Sequence, residues 1–236
     1  GSVLIKKGSM IMYTLADGSS GSGGGILNDA GGTLTVKYST ISTNQAMRAG
    51  GGIEDNSGTG TIVLLDNVAL DNNSTSMSPG NGGGLHISGA GDATILEGSV
   101  NSNFAAREGG GLWNGTGTMN ITNTEIDGNS AGGDAADDGG GGIFNNGGIL
   151  MVNRTTVSNN SATGTLGNGG GVHVNGGSAT IMLSTISGNI SNNHGGGIYN
   201  MGNIDVVKTT ITENSAINNG GGFAQDLSTD MASFSG

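Results

Sequence analysis

The chain has 236 residues, of which 51 are glycine, one is proline and none is cysteine; 11% are charged and the net charge is −11. Collagen is excluded because glycine does not recur at every third position, and the lack of cysteine excludes disulfides and thiolate metal sites. Seven Lys and Arg scattered through an acidic chain exclude a phosphate-tracking nucleic-acid surface, and no apolar run reaches the roughly 18 residues of a membrane helix.

Residues 1–22 do not align with the rest of the chain and lack a signal-peptide pattern. They read as an N-terminal cap or partial coil of a mature or excised piece. From residue 23 onward the chain is a repeat. Glycine triplets begin at Gly23, Gly50, Gly82, Gly109, Gly140, Gly169, Gly195 and Gly220. An apolar residue follows each, namely Ile26, Ile53, Leu85, Leu112, Ile143, Val172, Ile198 and Phe223.

Further along each repeat stands a second apolar column of Ile41, Leu70, Val100, Ile126, Val157, Ile186 and Ile211. Five and seven residues before it are two more, which open with Val36 and Leu34 and end with Val206 and Ile204. A separation of two is the period of a strand with one buried face, so these columns point into a common interior. Three residues after the second column, every complete repeat has asparagine: Asn44, Asn73, Asn103, Asn129, Asn160, Asn189 and Asn214. Asparagine held at one bend of each coil can bond its amide to the amides above and below, which predicts an asparagine ladder.

A repeat of about 25 residues with this ladder predicts an all-β right-handed parallel β-helix. Residues 23–219 make seven complete coils and residues 220–236 an incomplete C-terminal one. Neither end looks capped, and open edges invite end-to-end self-association. Length variation concentrates between the asparagine and the next triplet, from "QAMRA" (45–49) to "SAGGDAADDG" (130–139), which predicts protruding loops on one edge.

Three surface columns are candidates for function. The residue after each post-triplet aliphatic is expected to face outward, and five consecutive coils place a ring there: His86, Trp113, Phe144, His173 and Tyr199. Such rings suit a glycan or a partner surface; the alternative is an internal stack covered by the loops. Flanking the second apolar column are Thr40 and Ser42, Thr156 and Ser158, Thr185 and Ser187, and Thr210 and Thr212, a rank suited to ordering ice-like water. Asp71, Glu125 and Asp127 interrupt it in the middle coils.

An enzyme would draw on Asp66, Glu97, Asp127 and Arg154 on one flank, although these occupy different columns. The loop acids Asp134, Asp137 and Asp138 read as a solvated loop more readily than as a Ca²⁺ site, and no metal or cofactor is expected. Met151, Met182, Leu183 and Val207 form a nominally outward apolar patch, expected to lie under a loop, the C-terminal tail or another chain.

The stretches "GGGIYNMGNIDVVKTTITENSA" (195–216) and "GGGIFNNGGILMVNRTTVSNNSA" (140–162) resemble the coils of bacterial surface and secreted parallel β-helix proteins, including polymorphic outer-membrane-protein-like passengers. The Phe-x-x-Asn element of the chlamydial repeat is not regular here. The resemblance implies an exported protein, extracellular or at the cell surface, that acts as a non-catalytic scaffold or adhesion module on a glycan or surface ligand. Ice binding and polysaccharide cleavage by a lyase or hydrolase are the alternatives, because the same coil carries all three activities.

Overall fold

The structure is a computed structural model describing residues 1–29, 31–56, 62–226 and 231–236. It is a parallel β-solenoid whose strands form three sheets, one of fifteen strands and two of eight, all paired coil to coil. Each coil runs from a short strand after the glycine triplet, such as Val172–Val174, into a long sheet, as in Ser178–Met182 and Thr185–Ser187. It then turns at the ladder asparagine into a two-residue strand such as Ile190–Ser191. Among the described residues no helix is long and apolar enough to cross a membrane.

Register follows the predicted columns. Val172 pairs with Ile143 and Ile198, and Val157 with Ile126 and Ile186, so each apolar column becomes one stripe of the core. Leu34, Val36, Ile41, Leu112, Ile143 and Ile186 are all buried in that single cluster.

The asparagine ladder is continuous. Each side-chain amide donates to the next asparagine's Oδ1 at 2.8–3.1 Å, from Asn44 through to Asn214. Asn103 illustrates complete satisfaction: Nδ2 donates to Leu70 O at 2.8 Å and to Asn129 Oδ1 at 2.9 Å. Its Oδ1 accepts from Asn73 N at 2.9 Å and Asn73 Nδ2 at 3.1 Å. Two donors and two acceptor sites are thus all used, as a buried amide requires.

A second polar column went unread in the sequence. Ser39, Thr124, Thr155, Ser184 and Thr209 each donate a hydroxyl to the carbonyl two residues back. This satisfies the backbone beside a corner at which Tyr38, Asn123, Arg154, Leu183 and Lys208 adopt positive φ of 47–51°. Such a corner costs strain for non-glycine residues, and the neighbouring hydroxyl offsets part of it.

The triplet glycines serve different ends. Gly169 has φ of +63°, the left-handed turn that starts the coil. A Cβ on Gly170 would collide with Ile190 O and stand 2.6 Å from Gly196 O, so the triplet lies directly against the two-residue strand of its own coil. The coil is pinched there. That is why the inward position of the two-residue strand is small in coil after coil, as at Ala46, Ala105, Ala131 and Ala162.

Residues 1–22, read from sequence as a cap or partial coil, take the second form. Ser2–Lys6 places Val3 opposite Leu34 and Ile5 opposite Val36, and Met10–Met12 places Ile11 opposite Ile41. Thr14 takes the ladder position, its N–H donating to Asn44 Oδ1 at 3.1 Å. The sequence hides the register of this partial coil, because it has threonine for the ladder asparagine. At the other end Phe223–Gln225 and Ala232–Ser235 continue two of the sheets.

Candidate functional site

The ring column is brought into contact as a single stack, but under cover. His86 and Trp113 stack with centroids 4.3 Å apart, Trp113 and Phe144 at 6.2 Å, Phe144 and His173 edge to face at 4.7 Å, and His173 and Tyr199 at 5.0 Å. His86 is 7% exposed, Trp113 8%, Phe144 and His173 0% and Tyr199 8%. Of the two readings of this column, the geometry is that of the covered internal stack and not of an exposed stripe. These side chains do point away from the solenoid core, yet the loops between ladder and triplet fold over them. The two rings that follow the long loops at 130–139 and 161–168, Phe144 and His173, are the most completely covered.

An acidic clamp holds one of those loops down. Trp113 Nε1 donates to Glu108 Oε2 at 2.9 Å, and Asn81 Nδ2 donates to the same oxygen at 3.1 Å. Arg107 Nε donates to Asp138 Oδ1 at 2.6 Å and lies 3.6 Å from Glu108 Oε1. Ala135 N donates to Asp138 Oδ2 at 2.9 Å, which closes the loop on its own backbone. Burial pushes the Glu108 carboxyl up to about 7, and Asp138 beside it acts in the same direction against Trp113 and Arg107. Burial likewise pushes the His173 imidazole down to about 3, opposed by the Asp138 backbone. His173 thus stays neutral inside the stack.

Glu108 was not singled out from sequence. Its signal was available, since it precedes a triplet at the position held by Asn81, Asn168 and Asn219 in other coils. Glu54 was missed similarly: it occupies the ring column one coil before His86, and its Oε2 lies within hydrogen-bond distance of His86 Nδ1 at 2.8 Å.

The hydroxyl rank is aligned by register. Thr156, Thr185 and Thr210 are neighbours on adjacent coils, as are Ser158, Ser187 and Thr212. Thr40 and Ser42 stand apart from them, opposite Ala69 and Asp71. The acids that interrupt the rank also occupy its hydroxyls: Asp127 Oδ1 accepts from Ser158 Oγ at 2.7 Å and Asp71 Oδ1 from Ser99 Oγ at 3.1 Å. Burial raises the Asp71 carboxyl, and the Ser99 hydrogen bond opposes that shift.

The four residues considered for catalysis do not converge. Asp66 is paired with Lys37 at 3.0 Å, and Asp127 takes Asn159 Nδ2 at 2.7 Å. Glu97 and Arg154 share one corner but sit two coils apart, about 10 Å by the strand spacing. Among the loop acids, Asp138 is buried on Arg107 while Asp134 accepts from Thr165 N at 2.7 Å. Among the described residues no cluster of three His, Cys, Asp or Glu could hold a metal ion. Within the chain the apolar patch is partly open: Met151 is 45% and Leu183 44% exposed, and the C-terminal strand Ala232–Ser235 pairs alongside Asn203–Val207, placing Ser235 opposite Val207.

One stretch of this geometry is shared with a known repeat. Residues 184–201 match the Chlamydia polymorphic membrane protein repeat. They run from the hydroxyl at Ser184 through ladder Asn189 to the triplet Gly195–Gly197 and Tyr199 of the ring column. No curated protein and no solved structure matches the chain.

Proposed function

We propose that the chain is a non-catalytic, surface-displayed scaffold of a bacterial exported protein that adheres to a glycan or other surface ligand. The observation that carries this reading is the match of residues 184–201 to the Chlamydia polymorphic membrane protein repeat, on a solenoid whose other coils repeat the same elements. The mechanism is mechanical and geometric. Two polar ladders and a pinched glycine corner give a rigid rod, and the rod presents loops of unequal length along one edge. Rigid presentation lowers the ordering cost of binding, which favours loops as the contact surface. With the ring stack buried, ligand contact falls to the loop exteriors and to the open ends of the stack.

Beads coated with the chain test the proposal on cultured epithelial cells, with antibody staining of intact producing bacteria as the localisation arm. Saturable attachment above albumin-coated beads, together with surface staining, is expected. Attachment at the albumin level overturns the adhesion reading, and staining only after permeabilisation overturns the surface one.

A further inference from the structure

We infer that a pocket at the N-terminal end of the ring stack binds one carboxylated sugar unit. The inference names a ligand class for the proposed adhesion and rests on that reading for its biological setting. Aromatic residues fill the column from His86 onward, but the two preceding coils place Glu54 and Leu27 there. The shorter side chains leave a cavity of about 190 Å³ beneath the neighbouring loops. At about 30 Å³ per water this holds roughly six, the space of a single six-membered sugar ring.

The walls divide by chemistry. Leu27 and Pro79 supply apolar surface for the C–H face of a sugar, while Glu54 and His86 supply a hydrogen-bonding edge. Both of these polar groups are more than nine-tenths buried and bonded to each other at 2.8 Å, so the edge is held rigidly. A purely aliphatic ligand would strip solvent from the polar atoms of this pair that face the pocket without replacing it, which disfavours such a ligand. Arg48 stands at the rim, exposed, with no side-chain partner among the described residues. Glu54 is already engaged by His86. A carboxylate on the ligand therefore gives the guanidinium the planar, two-oxygen partner that the protein does not.

Calorimetric titration of the whole chain with glucuronate, N-acetylneuraminate and glucose tests this. The acidic sugars are expected to bind saturably and at least tenfold more tightly than glucose. Arg48→Ala removes that preference, because an exposed side chain is lost without disturbing the core. Ser20→Trp, at an exposed lining position, fills the mouth and abolishes binding. A glucuronate-capped oligosaccharide that binds at least as tightly as the free sugar identifies a glycan end as the source; a tighter free sugar identifies a small metabolite. Either supports the pocket. No saturable response to any acidic sugar, or wild-type affinity in both variants, overturns it. Sugar binding without bead attachment upholds the pocket and refutes adhesion; attachment without sugar binding does the reverse.

Discussion

Cutting the asparagine ladder at Asn103 should cost a large share of the stability of the middle coils. Asn103→Ala removes four hydrogen bonds, two donated by Nδ2 and two accepted by Oδ1. Two of the partners keep an alternative: Asn129 Oδ1 still accepts from Asn103 N at 2.9 Å, and Asn73 Nδ2 still reaches Ile41 O at 2.9 Å. The Asn73 N–H is left buried without its acceptor. A net value of about 1 kcal/mol for each of the three other bonds and about 1–3 kcal/mol for the stranded donor sum to roughly 4–6 kcal/mol. Whole domains are stable by only about 5–15 kcal/mol. Trp113 is the sole tryptophan and lies in the coil that follows Asn103, so its fluorescence reports the affected region in a urea titration. With a slope of about 2–3 kcal/mol per molar, the midpoint should fall by about 2 M. Asn120→Ala, at a half-exposed position on the outer face of the long sheet, is the control and should move it by a small fraction of that. Equal midpoints for the two variants would refute the claim that the ladder, and not merely asparagine's turn preference, holds the coils in register.

Three further outcomes are expected. Gly170→Ala should prevent native folding in a thermal melt because its Cβ meets backbone oxygens on two sides, whereas Gly147→Ala, at φ of +86° with open space around it, should cost only about 1–2 kcal/mol. Glu108 and His173 should have opposite pH effects in urea midpoints taken as differences from wild type. The raised Glu108 contributes stability that is lost as pH rises from 4.5 to about 7, and the lowered His173 contributes stability that is lost as pH falls from 6.5 to about 3. Removing the first term with Glu108→Gln should therefore steepen the rise of stability with pH, and His173→Phe should do the opposite; parallel profiles would contradict the assignment. Purified protein should show no thermal hysteresis, since the uninterrupted hydroxyl rank spans only three adjoining coils before Glu125 and Asp127.

The fold was legible because its causes are periodic. Val36 through Val206, the ladder from Asn44 to Asn214 and the eight triplets repeat one physical demand each, and repetition separates a demand from chance. The register of the partial coil at residues 1–22 did not align for the converse reason: Thr14 meets the ladder's demand with a different residue, and no triplet precedes it. The hydroxyl column at Thr124, Thr155 and Ser184 is periodic too. It does not stand out because serine and threonine are ordinary strand residues, and their pairing with the carbonyl two residues back is visible only in the backbone.

The candidate site was left between two readings, an exposed stripe and a covered stack, for a different reason. A two-residue period distinguishes the core face of a strand from its other face, but it says nothing about whether that other face meets water. Phe144 and His173 obey the period and are nevertheless wholly buried, since the loops at 130–139 and 161–168 return across the strands that come after them. Both facts were present in the chain, in the ring column and in the uneven spacing between ladder and triplet, and only their combination predicts cover. At the coil bearing Glu54 the stack has no ring, and the column opens into a pocket with the hydrogen-bonded Glu54–His86 pair in its wall. Adding a ring there, by Glu54→Phe, should extend the stack by one member and close the cavity, raising the urea midpoint while abolishing any acidic-sugar binding. A variant that gained stability and kept its sugar affinity would show that the ligand contacts lie elsewhere, on the loop exteriors.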